Sequence, residues 1–126
     1  MNGLLVFIGG GIGALIRYIM YLVLPKATYF PLGTIMANFF GCFIATIVFT
    51  YFLLKSDMNS AYKTFFITGF CGGLSTLSAL SLELLYFIQT GEYLRAALYL
   101  FSTCLICIVS VLLGLLVVKK LFNLTI

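Results

Sequence analysis

Hydroxyl and amide side chains cluster inside the most apolar parts of this sequence. The segment GFCGGLSTLSALSLE, Gly69 to Glu83, holds four hydroxyl side chains and one carboxylate in fifteen residues. The hydroxyl-bearing residues are Ser75, Thr76, Ser78 and Ser81. A second apolar segment carries Thr34 and Asn38 one helical turn apart. A third carries polar or thiol groups at positions i, i+4 and i+8, which are Tyr99, Thr103 and Cys107.

These groups share the ability to donate a hydrogen bond without a full positive charge. A small anion that has lost its water needs such donors, whereas a fixed Lys or Arg at the same depth would hold it too firmly to release it. The pattern therefore predicts a narrow, donor-lined path for an ion, although these residues do not identify the ion. For Asn38 a second interpretation stays open, in which the amide joins two helices.

The elements that position these groups are membrane helices. The chain has 126 residues, of which 63% are hydrophobic and 8% charged, and its mean hydropathy is +1.23. A membrane helix needs about 20 mostly apolar residues, and four segments qualify. They are Leu4–Leu24, Leu32–Leu54, Thr64–Ile88 and Leu94–Val118. We predict an all-α, multi-pass protein of the cell membrane, with residues 1–126 forming one four-helix domain in contact with lipid.

Glycines predict two local features. Gly9 and Gly13 are spaced for close packing of helix backbones in lipid. Gly69, Gly72 and Gly73 predict a break in the third helix near the middle of the bilayer, because each glycine costs about 1 kcal/mol in a helix interior. Carbonyl groups freed at such a break are able to hold a cation.

The charges suggest no nucleic-acid partner and only a weak preference for one membrane orientation. The net charge of +4 comes from basic residues that mostly flank the apolar segments. Four lysines share the side of the termini, namely Lys55, Lys63, Lys119 and Lys120, against Lys26 and Arg95 on the other side. Such a chain is able to insert both ways or to pair with an inverted partner. Arg17 either extends to the interface or faces a water-filled mouth.

Catalysis and histidine-dependent metal binding are not expected. The chain contains no His, and no paired carboxylates exist for acid–base chemistry, so we predict that it is not an enzyme. Its four cysteines all lie in the apolar segments, where such residues usually serve as small apolar fillers.

The chain resembles the Fluc (CrcB) family of small fluoride channels over its whole length. The motifs that carry the resemblance are GGGIGALIRY, PLGTIMANFFG and GFCGGLSTLSALSLE. The resemblance implies a dual-topology dimer of two antiparallel four-helix subunits, with two fluoride pores and a structural Na⁺ held by the backbone carbonyls of Gly72 and Ser75. It implies vestibule positions for Arg17 and Glu83. The implied pore-lining residues are Thr34, Asn38, Thr76, Leu77, Ser78, Leu80, Ser81, Tyr99, Thr103 and Cys107.

One motif departs from the family pattern. The family signature Thr-Thr-Phe-Ser-Thr-Phe-Ser corresponds here to Ser75 through Ser81, with Leu77 and Leu80 in place of both phenylalanines. Aromatic ring edges carry partial positive charge and leucine offers none. The second subunit is therefore either a copy of this chain or a paralogue that supplies the phenylalanines.

Two other functions remain in competition. A proton-coupled small-molecule exporter is another four-helix dimer, but it needs an acid deep in its first helix, where this chain has Arg17. A non-conducting membrane partner subunit would tolerate the loss of both phenylalanines.

Overall fold

The computed structural model describes residues 2–25, 29–54 and 60–122, so that Lys26 and Lys55 lie outside the described residues. It contains four long helical spans within these residues, which are Asn2–Val23, Leu32–Leu54, Ser60–Gln89 and Tyr93–Phe122. Each is long and apolar enough to cross a membrane. The predicted number of spans is confirmed, and the second span has the predicted ends.

The third span consists of several pieces. We label the first two helices α1 (Asn2–Val23) and α2 (Leu32–Leu54). The third span begins with α3 (Ser60–Lys63), widens into a π-helix over Thr64–Cys71 and continues as α4 (Gly72–Leu74). It resumes after a break as α5 (Leu77–Gln89), and the last span is α6 (Tyr93–Phe122).

The break lies later in the chain than the glycines predict. Ser75 and Thr76 have extended backbone angles, with φ/ψ of −73°/153° and −151°/118°. Gly69 lies within the π-helix, and Gly72 and Gly73 lie in α4. The predicted break is therefore confirmed, but its assignment to the glycines is wrong, because all three glycines remain helical; Gly69 and Gly73 serve close packing against α1 instead.

Glycines on α1 and on the third span bring the two backbones into contact. Gly9 and Gly13 are buried. A Cβ atom at Gly9 would lie 2.6 Å from the Phe65 carbonyl oxygen, and one at Gly13 would collide with the carbonyl oxygen of Phe70. A Cβ atom at Gly73 would collide with the Gly10 carbonyl in the same way. Close packing through the Gly9–Gly13 motif is confirmed.

Helices α2 and α6 run parallel. The Ser110 hydroxyl donates to the Phe39 carbonyl at 2.6 Å, and further along both helices the rings of Tyr51 and Phe122 lie 5.6 Å apart. Residue numbers therefore rise together along the two helices, which fixes their register.

A tight turn joins α5 to α6. Gly91 adopts a φ of 79°, the left-handed conformation that glycine takes without strain, and the Glu92 N–H donates to the Phe87 carbonyl at 2.8 Å. This pattern is typical of a Schellman cap, and it turns Arg95 back towards the end of α5.

Much of the apolar surface faces outwards. In the most apolar window of each span, between 11% and 33% of residues are buried within the protomer. A water-soluble bundle would bury far more of its apolar side chains. In a membrane, lipid or further protein covers the rest.

Candidate functional site

The Glu83 carboxylate joins three helices through hydroxyl groups. The Thr34 hydroxyl donates to Glu83 Oε1 at 2.7 Å, and the Tyr99 hydroxyl donates to Oε2 at 2.6 Å. The Tyr21 hydroxyl lies 3.3 Å from Thr34 Oγ1 and adds α1 to the group. Thr34 and Tyr99 are fully buried, so this cluster of four residues fixes both hydroxyls in place.

A cavity of about 470 Å³ opens beside this cluster. Its wall includes Tyr21, Thr34, Glu83 and Arg95. The Arg95 guanidinium pairs with Glu92 at 2.6 Å and stacks over the Phe87 ring at 4.3 Å. One fixed cation and one carboxylate thus line the cavity.

Arg17 lies on the inner side of α1 and is half-buried. It is one helical turn from Gly13, which contacts the third span, and one turn from Tyr21, which contacts α2. Within the described ranges the ion pair between Glu92 and Arg95 is the only one, so Arg17 has no acidic partner there. Its charge is available to an anion.

Asn38 binds the broken backbone of the third span. Its side-chain oxygen accepts a hydrogen bond from the Thr76 N–H at 2.6 Å, and its amide donates to the Thr76 carbonyl at 3.2 Å. Asn38 is buried. The interpretation of this amide as a link between helices is therefore confirmed, and the same side chain also lines a cavity of about 400 Å³.

Two carbonyl groups at the break lose their helical donors. In a continuous α-helix the Gly72 carbonyl would accept from the Thr76 N–H, and the Ser75 carbonyl from the Ala79 N–H. Here the Thr76 N–H donates to Asn38, and the Ala79 N–H donates to the Thr76 hydroxyl at 3.2 Å. Gly72 and Ser75 therefore each present a carbonyl oxygen without its helical N–H partner. Oxygen is the ligand atom that hard cations prefer.

Polar residues on α2 and α6 face each other along a seam. Both helices present them at steps of four residues: Thr34, Asn38 and Cys42 on α2, and Tyr99, Thr103 and Cys107 on α6. A cavity of about 400 Å³ lies beside the seam, with Asn38, Thr103 and Cys107 in its wall. The buried Thr103 hydroxyl donates to the Tyr99 carbonyl at 2.8 Å. We call this set of six residues the α2–α6 seam.

The predicted pore-lining residues of α5 differ in how deeply they are buried. Leu77 is 75% exposed, whereas Leu80 is 4% exposed and packs in the core with Ile35 and Tyr99. Ser78 and Ser81 are exposed, and the Ser81 hydroxyl donates to the Leu77 carbonyl at 2.9 Å. Leu77 and Leu80 lie in the wall of the same 400 Å³ cavity as the seam residues Asn38 and Thr103, whereas Ser78 and Ser81 are not part of that wall.

Comparison with known proteins establishes the family. A family model described as CrcB-like protein, Camphor Resistance (CrcB), matches residues 4–115.

The chain belongs to the CrcB family.

Several relatives of this CrcB-family chain are similar over nearly the full length. The fluoride-specific ion channel FluC of Pyrococcus abyssi is 38% identical over 117 residues, which cover 93% of this chain and 95% of the relative. That of Pyrococcus furiosus is 40% identical over 116 residues, covering 92% and 94%. Fluoride-specific ion channel FluC 2 of Nitrobacter hamburgensis is 34% identical over 123 residues, covering 96% and 99%. The resemblance to this family is confirmed, and the relatives are named as channels rather than enzymes, as predicted.

Sequence reasoning missed three contributors. Tyr21 joins the Glu83 cluster, Arg95 lines the first cavity, and Ser110 fastens α6 to α2. The spacing of Arg17 and Tyr21 on α1 was an available signal, because it places both on one side of the helix. No local signal marked Ser110, because its acceptor is a backbone carbonyl 71 positions away.

Proposed function

We propose that this chain is a subunit of a fluoride channel that lowers cytoplasmic fluoride by passive export across the cell membrane. The observation that carries this proposal is the α2–α6 seam, a buried row of uncharged hydrogen-bond donors in a chain whose full-length relatives are named fluoride-specific ion channels. No Lys or Arg interrupts the seam, so an anion there meets donors without being trapped by a fixed charge.

The hydroxyl groups are able to exchange partners at small cost. The Thr103 hydroxyl donates to the Tyr99 carbonyl four residues earlier, and that carbonyl is also positioned for its regular helical N–H. When the hydroxyl turns towards fluoride, the carbonyl keeps its backbone donor. Ser81 and the Leu77 carbonyl have the same relation on α5. Fluoride gains a donor and no buried acceptor is left without one.

Charged groups control the end of the path next to the first cavity. Arg17 and Arg95 attract anions towards it. Glu83 accepts hydrogen bonds from Thr34 and Tyr99, so an entering fluoride has to replace the carboxylate as their acceptor. We therefore assign both Arg17 and Glu83 to the vestibule. Arg17 attracts the anion there, and Glu83 forms the gate between the vestibule and the seam.

A second, antiparallel subunit completes the pore. Ser78 and Ser81 are exposed on their own protomer, and hydroxyl groups in a membrane span are costly to leave in lipid. A partner that covers them adds α5 of one subunit to the seam of the other. The partner is a copy of this chain or a paralogue with phenylalanine at the positions of Leu77 and Leu80.

A structural Na⁺ fits the break in the third span. The carbonyl groups of Gly72 and Ser75 would hold it, since both have lost their helical donors. A bound Na⁺ would supply positive charge that offsets the freed carbonyl dipoles. Asn38 and Thr76 keep these carbonyls free by occupying the competing N–H groups.

Fluoride efflux from liposomes tests the proposal. The purified chain is reconstituted alone or after co-expression with a paralogue, and a fluoride electrode follows release after the membrane potential is clamped with K⁺ and valinomycin. We expect fluoride release and no chloride release in at least one of the two preparations. Absence of fluoride release from both, with the assembly intact by gel filtration, would leave a non-conducting partner subunit as the better assignment.

A further inference from the structure

Arg95 lies among aromatic rings next to the Glu83 cluster. Its guanidinium carbon lies 4.3 Å from the centre of the Phe87 ring and 4.9 Å from the centre of the Tyr29 ring. Its Nε donates to the Tyr29 carbonyl at 2.7 Å, and its Nη1 donates to the Glu92 carboxylate at 2.6 Å. This one side chain of α6 therefore holds the end of α5 and the backbone just before α2.

The same group of rings encloses Tyr99. The Phe30 ring stacks on the Tyr99 ring, with 5.5 Å between centres and 24° between planes. The Phe87 ring meets the Tyr99 ring edge-on at 5.8 Å, and the Tyr29 ring meets the Phe30 ring at 4.8 Å. Tyr99 is fully buried, and its hydroxyl donates to Glu83 at 2.6 Å. We call Tyr29, Phe30, Phe87 and Tyr99 the aromatic clamp.

We propose that Arg95 is a positioning residue of the fluoride path, because it holds the aromatic clamp closed and thereby keeps the Tyr99 hydroxyl at the Glu83 gate. Arg95 contacts Tyr29 and Phe87, and each of these rings contacts a further ring of the clamp. A hydroxyl on a ring that is packed on its face and edge is oriented before the ion arrives. The proposal deepens the proposed function and rests on it, since the gate is part of that function.

The chemistry of arginine suits this role. A guanidinium stacks on a ring through its face while its edge donates hydrogen bonds, whereas lysine carries a point charge on a flexible stem. The ion pair with Glu92 balances much of the positive charge of Arg95, but the bond to Tyr29 and both ring contacts are independent of that pair. The variant R95K therefore separates two contributions, because lysine keeps the charge that attracts anions and loses the planar group.

Fluoride efflux tests the role, in the liposome preparation that conducts. We expect R95K to slow efflux roughly tenfold, the effect of misplacing one hydrogen-bond donor. F30L removes the stacked ring and should slow efflux to a similar degree. The double variant R95K/F30L should be no slower than the slower single variant, since both act through Tyr99.

The control is E92Q, which removes the ion pair and leaves the bond to Tyr29 and both ring contacts, and its rate should stay close to that of the wild type. Independent, multiplied slowing in R95K/F30L would overturn the proposal. Equal slowing in E92Q and R95K would also overturn it, because the ion pair would then account for the effect.

A labelling measurement reports the clamp without ion flow. Pro31 follows Phe30 and lies in the wall of the 470 Å³ cavity, so P31C reports whether this backbone stays in place. We expect N-ethylmaleimide to alkylate P31C several-fold faster when R95K or F30L is added than when E92Q is added, scored by peptide mass on assemblies that are intact by gel filtration. If R95K does not assemble, Y29A replaces it in both measurements with the same expected direction, because it removes one ring beneath the guanidinium and leaves Arg95 in place.

The two measurements distinguish failure of this role from failure of the proposed function. Faster alkylation of P31C in R95K, with no fluoride efflux from any preparation, would contradict the proposed function only. Unchanged alkylation together with a wild-type efflux rate in R95K would contradict the role of Arg95 only.

Discussion

Two buried polar side chains of the α2–α6 seam, Asn38 and Thr103, have different physical roles. Asn38 satisfies a backbone N–H that has no helical acceptor, at Thr76. Thr103 donates to a carbonyl in a regular part of α6. Deleting the first side chain leaves a buried donor unpaired, whereas deleting the second leaves a carbonyl with its helical donor. We therefore expect the loss of the Asn38 side chain to lower stability and the loss of the Thr103 hydroxyl to affect conduction alone.

We expect Asn38→Ala to destabilise the assembly by about 1–3 kcal/mol, because the Thr76 N–H loses its acceptor in a water-free setting. Thermal unfolding in detergent, followed by loss of the monodisperse gel-filtration peak, measures the effect. Thr103→Val should leave that midpoint close to the wild-type value. If both variants unfolded at the wild-type temperature, Asn38 would not hold the break.

We expect Thr103→Val to slow fluoride efflux roughly tenfold, which corresponds to the loss of one neutral hydrogen bond to the ion. Valine keeps the shape of threonine and removes only the hydroxyl. Ser110→Ala is the matched control, since it removes another α6 hydroxyl, bonded to the Phe39 carbonyl and outside the six seam residues. Equal slowing by both variants would point to helix packing instead of ion contact.

Leu77 is the position where an aromatic ring should restore family chemistry. It is 75% exposed in the protomer, so phenylalanine fits without repacking the core. We expect Leu77→Phe to raise fluoride efflux, since a ring edge offers the ion partial positive charge. Leu82→Phe, at another exposed position of α5, should leave the rate unchanged. An unchanged rate in correctly assembled Leu77→Phe would remove Leu77 from the pore.

At the scale of elements, contact between α1 and the third span depends on glycine, which has no side chain to hold the two backbones apart. We expect Gly13→Ala to destabilise the protein by about 1–3 kcal/mol, because its Cβ would meet the Phe70 backbone, which has little room to move. Gly11→Ala is the control, as nothing lies within 4 Å of its added Cβ. Alanine also favours helix over glycine by about 1 kcal/mol. The unfolding midpoints of the two variants should therefore move in opposite directions, and a shared direction would contradict this packing.

The break in the third span should make the assembly sensitive to Na⁺. The carbonyl oxygens of Gly72 and Ser75 are the proposed ligands of this ion, and oxygen is the ligand atom that hard cations prefer. We expect replacement of Na⁺ by N-methylglucamine, a cation too large for carbonyl coordination, to lower both the unfolding midpoint and fluoride efflux, and return of Na⁺ to restore both. An identical midpoint and rate in the two media would exclude a resident sodium.

The elements were predictable to the extent that a local pattern specifies them. Apolar length gave the second span its correct ends at Leu32 and Leu54, since crossing lipid sets a minimum length. The break was expected at Gly69 to Gly73 but lies at Ser75 and Thr76, because its position depends on hydrogen bonds from Asn38, 38 residues away. The partners of Glu83 likewise come from distant helices. Local sequence supplies the candidate polar groups, and tertiary contacts decide which of them bond to protein and which remain for an ion.

At the scale of the whole molecule, the uncovered surface of the spans and the even distribution of basic residues both favour an antiparallel pair. Each protomer leaves most of its span surface uncovered, including hydroxyl groups of α5. The basic residues differ by only about two between the two membrane sides, so the positive-inside effect gives either orientation nearly equal weight. An antiparallel pair uses both properties, because it needs chains inserted in both directions and covers polar surface on each.

This pairing predicts that a fixed orientation abolishes activity and that complementary orientations restore it. One variant adds Ser60→Lys and Leu121→Lys, at exposed positions, which gives six basic residues on the side of the termini against two. The other combines Gln89→Lys and Thr90→Lys at the exposed α5–α6 turn with Lys119→Gln and Lys120→Gln, which gives four on the turn side against two. Each variant expressed alone should insert one way and give little fluoride efflux. Co-expression of the two should recover most of the wild-type rate, because each then meets an inverted partner. A variant that conducts alone at the wild-type rate, with its single orientation verified by labelling an added terminal cysteine from one side, would show that an antiparallel partner is not needed.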